Sequence, residues 1–234
     1  MCCIARGDVA RVIAAGDGSA TLQAATFDAI ICRRFAAAAL LAAGWLVAAF
    51  QPVQARPAQV LLMRHGHKGS AGNNYNLSPT GFQRALGLAS VIPACFGTPS
   101  HITTYFLDPE TSKNARSYQT AVPLAVASGV NIRIDRSSVV DSLQSGRRML
   151  SNPAYSGGLL VVFWEHRHLP QLAAGLGWPE MPPIADNDFD LLYRLRYGRG
   201  ETAPQVSRFS QSALLDGSQP CSQAPVPFTV VAPK

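Results

Sequence analysis

The stretch LLMRHGH, residues 61–67, is the part of the sequence that best indicates a fold. Its apolar half predicts a buried strand, and the abrupt change to Arg64, His65 and Gly66 predicts that this strand ends at the edge of a sheet. In open α/β sheets, ligands bind at the carboxyl ends of the strands. An imidazole can act there as a nucleophile, and a guanidinium presents a planar fork of donors that matches phosphate oxygens. The stretch therefore predicts an anion site at His65.

A second strand is predicted to end in a similar way. The run LLVVFW, residues 159–164, is the clearest buried strand in the chain, and Glu165 and His166 follow it directly. If the two strands are parallel, His65 and His166 lie at the same sheet edge. Arg116, near the start of a predicted helix, faces the same cleft. Two imidazoles, two guanidiniums and a helix N-terminus together favour a tetrahedral dianion.

Strand-like and helix-like segments alternate along the chain after Arg56. This alternation predicts an α/β protein, a three-layer α/β/α sandwich with a mostly parallel central sheet. The predicted strands cover residues 59–63, 102–107, 131–134, 159–164, 191–197 and 209–215. The first predicted helix has Ser78 as its N-cap and Pro79 at its first position, and further helices are predicted over 112–128, 142–150 and 169–176.

These motifs resemble the histidine phosphatase superfamily, the clan of phosphoglycerate mutase-like proteins and histidine acid phosphatases. The resemblance rests, in this order between about residues 58 and 178, on Arg64-His65-Gly66, on LSPTG at 77–81, on Arg116 followed by QTA at 119–121, and on Glu165-His166 followed by Leu169-Pro170. It implies a phosphoglycerate mutase-like fold and phosphoryl transfer through a phosphohistidine. His65 would attack phosphorus, while Arg64, Arg116 and His166 hold the equatorial oxygens. Water would then hydrolyse the phosphoenzyme, with no metal or other cofactor required.

The general acid is where the chain departs from this pattern. A leaving alkoxide needs a proton, normally from a carboxyl group at the site. One candidate is Asp141, in the loop after the third predicted strand, where many relatives place their acid. The other is Glu165, at a position that is often Gly in the mutase-like branch. Asp141 and Glu165 are therefore both candidates for the catalytic acid.

Two other interpretations of the same residues stay open. The chain could be a weak or inactive phosphate-binding relic of this fold. It could also be a metal-binding protein, because His65 with His67 and His166 with His168 form two His-x-His pairs, and alternate residues of a strand share a face. The metal interpretation leaves Arg64 and Arg116 unexplained, since cations beside a metal ion are unfavourable.

The bulk composition is typical of a globular protein, with 47% hydrophobic and 15% charged residues among 234. The net charge of +6 is spread over the chain without a run of five or more Lys or Arg, which argues against a nucleic-acid partner. An excess of cations instead favours an anionic partner, here a small phosphorylated substrate.

Residues 1–55 have the pattern of a leader. Arg33 and Arg34 precede an apolar block over 35–50, and small residues follow up to Ala55, where cleavage of a signal peptide is expected. The alternatives are an uncleaved membrane anchor and a buried N-terminal helix. The block is shorter than the roughly 20 residues that span a bilayer, which disfavours the anchor. The pattern predicts an exported, periplasmic or secreted domain over 56–234, irregular from about residue 217.

Cysteine usage agrees with export. Cys95 and Cys221 are the cysteines of the predicted mature domain, and in an oxidising compartment they could form one disulfide. The alternative is one buried and one exposed thiol.

Overall fold

The computed structural model describes residues 56–70, 74–198, 201 and 203–221. The predicted leader, 1–55, lies outside the described residues. Six strands form one sheet: β1 (Gln59–Arg64), β2 (His101–Thr104), β3 (Ile132–Ile134), β4 (Leu159–Trp164), β5 (Leu191–Arg196) and β6 (Gln205–Ser210). The helices are α1 (Pro79–Phe96), α2 (Ala115–Ser128), α3 (Ser142–Ser151), α4 (Leu169–Gly175) and α5 (Gln211–Leu215). Two short 3-10 helices cover Pro153–Tyr155 and His166–His168.

The sheet order is β3-β2-β4-β1-β5-β6. β1, β4, β2 and β3 are parallel to one another, while β5 and β6 are antiparallel additions at one edge. Arg64 of β1 pairs with Trp164 of β4, and the His65 amide donates to the Trp164 carbonyl at 3.3 Å. The register therefore brings His65 and His166 to the same edge, as the two strand endings predicted.

Alternate residues of the central strands face two separate hydrophobic cores. Leu61 and Met63 of β1 face a core shared with α1 and α2, whereas Val60 and Leu62 face a core shared with α3 and α4. All four side chains are fully buried. A strand buried on both faces needs apolar residues at every position, which explains the unbroken runs in β1 and β4. The predicted three-layer α/β/α class is confirmed.

α1 begins where its sequence predicted. The Ser78 side chain accepts a hydrogen bond from the Gly81 amide, and Pro79 occupies the first turn, where its missing N–H has no cost. Ala85, Leu88 and Ile92 repeat at helical spacing and are buried against the sheet. Ala89, predicted on the same stripe, is partly buried.

Some predicted boundaries were wrong. β2 ends at Thr104, before the predicted 107, and α2 starts at Ala115 because Asn114 adopts a left-handed conformation with φ 67°. The predicted strand over 209–215 is instead the end of β6 followed by α5. The Ser210 side chain accepts from the Ala213 amide and starts this helix, so Phe209 and Leu214 reach the core from two different elements.

A disulfide joins Cys95, in the last turn of α1, to Cys221, with Cα atoms 4.9 Å apart. Of the two alternatives left open for these cysteines, the structure has the disulfide, and it ties the end of the described chain to the domain. Among the described residues, the structure contains no helix long and apolar enough to cross a membrane.

Candidate active site

The loop after β1 is packed directly onto the start of α1. The Ser78 amide donates to the His67 carbonyl at 2.9 Å, and a Cβ added to Gly81 would lie 2.4 Å from that same oxygen. The Gly66 amide donates to Thr120 Oγ1 of α2 at 2.9 Å. The motifs at 77–81 and 119–121 therefore contact the loop that carries His65 and hold it in position.

The His65 imidazole is buried, with 5% of the residue exposed. Its Nδ1 lies 2.7 Å from the Gly66 carbonyl, which can only accept, so Nδ1 carries the proton and Nε2 keeps a free lone pair. Burial lowers the pKa of His65 to about 4, and the positive charges of Arg64 and Arg116 act in the same direction. His65 is therefore a neutral, oriented imidazole at neutral pH.

The Arg64 guanidinium is held by one segment of the chain. Its Nη1 donates to the carbonyls of Ala185, Asp186 and Asp188 at 3.1, 2.9 and 2.8 Å. The guanidinium carbon lies 3.9 Å from the centre of the Phe189 ring, within cation–π range. Burial lowers the pKa of Arg64 to about 10, against the raising effect of nearby carboxylates, so the group stays charged at neutral pH. Its Nε is buried and has no hydrogen-bond partner in the described structure.

Arg116 lies in the first turn of α2 and is tied to the loop before α1. Its Nε and Nη2 donate to the carbonyls of Asn76 and Asn74 at 3.2 and 2.7 Å. Gln119 supports this loop by donating to Asn76 Oδ1 at 2.6 Å. The positive charge of Arg116 lowers the pKa values of both His65 and Arg64.

His166 stands between two carboxylates. Its Nε2 lies 2.5 Å from Asp186 Oδ1, and its Nδ1 lies 2.8 Å from Glu165 Oε1, without the angle of a hydrogen bond at the second contact. The imidazole is buried, whereas 86% of the Asp186 side chain is exposed. The bond to His166 lowers the pKa of Asp186. Asp186 therefore remains ionised at neutral pH and is a poor proton donor.

The two predicted acid candidates have different surroundings. Glu165 accepts from the Arg167 amide at 2.9 Å and from Arg167 Nε at 3.2 Å, and 13% of its side chain is exposed. Its charge acts on both Arg64 and His65. Asp141 is exposed and caps α3 by accepting from the Gln144 amide at 2.9 Å. Within the described chain, Asp141 forms no hydrogen bond or ion pair with the histidines of the site.

The two His-x-His pairs do not converge. His67 stacks on Phe189 with ring centres 4.5 Å apart, and His168 stacks on Tyr105 at 5.4 Å. In the part of the chain that the structure describes, no three His, Cys, Asp or Glu side chains are arranged to hold a metal ion. The geometry therefore gives the metal-binding interpretation no support.

The contacts that the segment 185–190 makes in the site were not predicted from the sequence. It supplies the three carbonyls on Arg64, the Asp186 carboxylate on His166 and the Phe189 ring beneath Arg64 and His67. Arg84 of α1 holds it in place by donating to Asp190 Oδ1 and the Phe189 carbonyl at 2.8 and 3.1 Å. Sequence motifs gave no signal for these roles, since backbone carbonyls have no sequence signature.

The sequence matches no family model and no curated protein. Solved structures do resemble this chain, among them a mycobacterial glucosyl-3-phosphoglycerate phosphatase at 15% identity, covering 65% of this chain and 97% of that one with a TM-score of 0.46. Another is the same phosphatase in complex with inorganic phosphate, at 16% identity, 65% and 95% coverage and a TM-score of 0.45. A third is a phosphoglycerate mutase from Bacillus anthracis, at 11% identity, 72% and 100% coverage and a TM-score of 0.47.

At these identities the likeness concerns the fold alone. The six-stranded mixed sheet between helices agrees with the predicted α/β class.

Proposed function

We propose that the protein hydrolyses phosphomonoesters through a phosphohistidine at His65. One observation supports this most strongly: a neutral imidazole with a free Nε2 follows Arg64 in the chain, and the charge of Arg64, whose buried Nε lacks a partner, acts on it. A cation with an unused buried donor next to a desolvated nucleophile suits a bound phosphate oxygen.

The reaction would proceed in two steps. His65 Nε2 attacks phosphorus in line, the bond to the ester oxygen breaks, and the leaving alkoxide takes a proton from an acid. Arg64 and Arg116 hold the equatorial oxygens and offset their charge, and His166 joins them when its Nε2 exchanges the Asp186 carboxylate for a phosphate oxygen. A water then attacks phospho-His65, releases inorganic phosphate and restores the free imidazole. The chain's own residues supply positioning and electrostatics, which are the main contributions to phosphoryl transfer.

We assign the acid to Glu165 in preference to Asp141. Glu165 is the predicted acid candidate that lies at the site: its Oε1 is 2.8 Å from His166 Nδ1, and 13% of its side chain is exposed. Asp141 instead serves as the N-cap of α3. Through His166, Glu165 would also orient the imidazole that binds phosphate.

Hydrolysis of p-nitrophenyl phosphate with EDTA present tests the reaction. We expect turnover that is unaffected by EDTA and abolished by His65→Asn. The matched control is His101→Asn, since His101 lies at the start of β2, where it stacks on Tyr155. Loss of turnover in EDTA would favour the metal-binding interpretation, and no turnover at any pH would favour the phosphate-binding relic.

A comparison of leaving groups tests the acid. Nitrophenolate leaves without much protonation, whereas an alkoxide needs a proton in the transition state. Glu165→Gln should therefore lower kcat for an alkyl phosphate by about 100-fold or more, the usual worth of general acid catalysis, and affect p-nitrophenyl phosphate far less. If Asp141→Asn shows this selective loss and Glu165→Gln does not, the acid is Asp141.

We also propose that residues 1–55 direct export and are removed. The disulfide between Cys95 and Cys221 supports this, because such bonds persist in oxidising compartments. Expression of the full chain in a bacterial host, followed by N-terminal sequencing of the periplasmic fraction, should give a protein that begins at Arg56. Recovery of only the uncleaved chain from the membrane or cytosol would contradict it.

A further inference from the structure

A cavity of about 340 Å³, separate from the site around His65, lies between the β2–β3 edge of the sheet and helix α3. Its walls include the guanidinium-bearing residues Arg133, Arg136 and Arg148, together with Asp135 and Thr103. None of the residues that line it belongs to the site around His65. Its volume falls in the range of small-molecule sites, about 300–1,000 Å³.

The charged groups of this cavity do not cancel. Three arginines face one carboxylate, Asp135, and that carboxylate lies 3.9 Å from Arg148 Nη2, longer than a close ion pair. A hydrogen bond with the Tyr155 hydroxyl, at 3.3 Å, holds Arg133 in place. Arg148 donates to the hydroxyls of Ser137 and Ser145. Arg133 and Arg148, which are positioned by neutral hydroxyls, keep donors for a ligand, and with Arg136 they give the cavity an excess of positive charge at its exposed rim.

The wall of this cavity also contains an unsatisfied hydroxyl. Thr103 is 1% exposed, and its Oγ1 is buried without a hydrogen-bond partner in the described structure. Threonine in a strand is ordinarily compatible with burial only when its hydroxyl is paired, because an unpaired buried polar group is costly. This hydroxyl is a hydrogen-bond donor in the cavity wall that the described residues leave unused.

We propose that the cavity is a second binding site, for an anion with two or more phosphate or carboxylate groups. The three arginines come from separate parts of the chain: Arg133 lies on β3, Arg136 in the loop after it and Arg148 on α3. Such a spread suits an anion with charge at two ends better than a single phosphate. No covalent step is involved.

Isothermal titration of the full chain with inorganic pyrophosphate, in EDTA, tests this site. We expect two binding events, one at His65 and one in the cavity. Arg148→Ala should weaken one event at least about tenfold, because a charge-assisted hydrogen bond is lost, and should leave hydrolysis of p-nitrophenyl phosphate unchanged. Arg147→Ala is the matched control, since Arg147 is exposed on the same helix and does not line the cavity.

The outcomes separate this proposal from the proposed function. A single binding event that Arg148→Ala and Arg133→Gln both leave unchanged overturns the cavity site, whatever the phosphatase assay shows. Equal weakening by Arg147→Ala also overturns it, because the effect would then reflect net charge. If two binding events are seen but p-nitrophenyl phosphate is not hydrolysed, only the proposed hydrolase function is overturned. Arg133→Gln changes a residue of β3 rather than α3, so the site can still be tested if the Arg148→Ala variant does not fold.

Discussion

The free energy of unfolding of this protein should fall as the pH is lowered, because unfolding allows His65 to take up a proton. The His65→Asn substitution should remove this part of the pH dependence. Burial lowers the pKa of His65 from an ordinary 6.5 to about 4. Between these values the unfolded chain binds a proton that the native state does not, so stability falls as the pH is lowered through this window. Each pKa unit corresponds to about 1.4 kcal/mol, which makes the loss from pH 7 to pH 4 about 3 kcal/mol for this one group.

The assay is urea unfolding at pH 7 and pH 4, for the wild type and for His65→Asn. The substitution removes the titrating group and should reduce the pH-dependent loss of unfolding free energy by about 3 kcal/mol, with other groups contributing equally to both proteins. Titration of the His65 ring by NMR should show a midpoint near pH 4. An identical pH dependence in the two proteins, or a midpoint near 6.5, would refute the claim that His65 is desolvated and neutral.

Three further substitutions test the surrounding structure. Gly81→Ala places a methyl group 2.4 Å from the His67 carbonyl, so we expect a loss of phosphatase activity with retained secondary structure; an active variant would show that this contact can relax. Phe189→Leu removes the ring beneath the Arg64 guanidinium and should raise KM about 5- to 30-fold, the equivalent of about 1–2 kcal/mol, with kcat little changed. Cys221→Ser opens a disulfide that spans 126 residues and should lower the free energy of unfolding by up to about 5 kcal/mol. Reduction of the wild-type disulfide should give the same loss, and a variant as stable as the wild type would contradict the prediction.

The parts of the fold that could be predicted from sequence are those where burial dictates residue type. β1 and β4 are buried on both faces, so their apolar runs are unbroken, and the change to polar residues marks the sheet edge at His65 and His166. Two parallel strands with such endings bring their terminal residues together. Arg116 could be placed beside them because it lies in the first turn of α2, even though that helix begins later than predicted.

The parts that could not be predicted depend on backbone geometry or on ambiguous apolar residues. The carbonyls that hold Arg64 belong to the segment 185–190, and any residue type would supply them. The Phe189 ring cannot be told from a core aromatic by sequence alone. In 209–215 the apolar residues fit a strand and a short helix equally well, and the capping role of Ser210 was the signal that would have separated them.

The central claim is that His65 carries the phosphoryl group. A single turnover with a ³²P-labelled phosphomonoester, quenched rapidly in alkali and followed by peptide mapping, tests it most directly. Phosphohistidine should be found on His65, should be lost on exposure to acid, and should be absent from the His65→Asn variant. Turnover without any trapped phosphoenzyme, or phosphate mapped to another residue, would contradict the proposed mechanism.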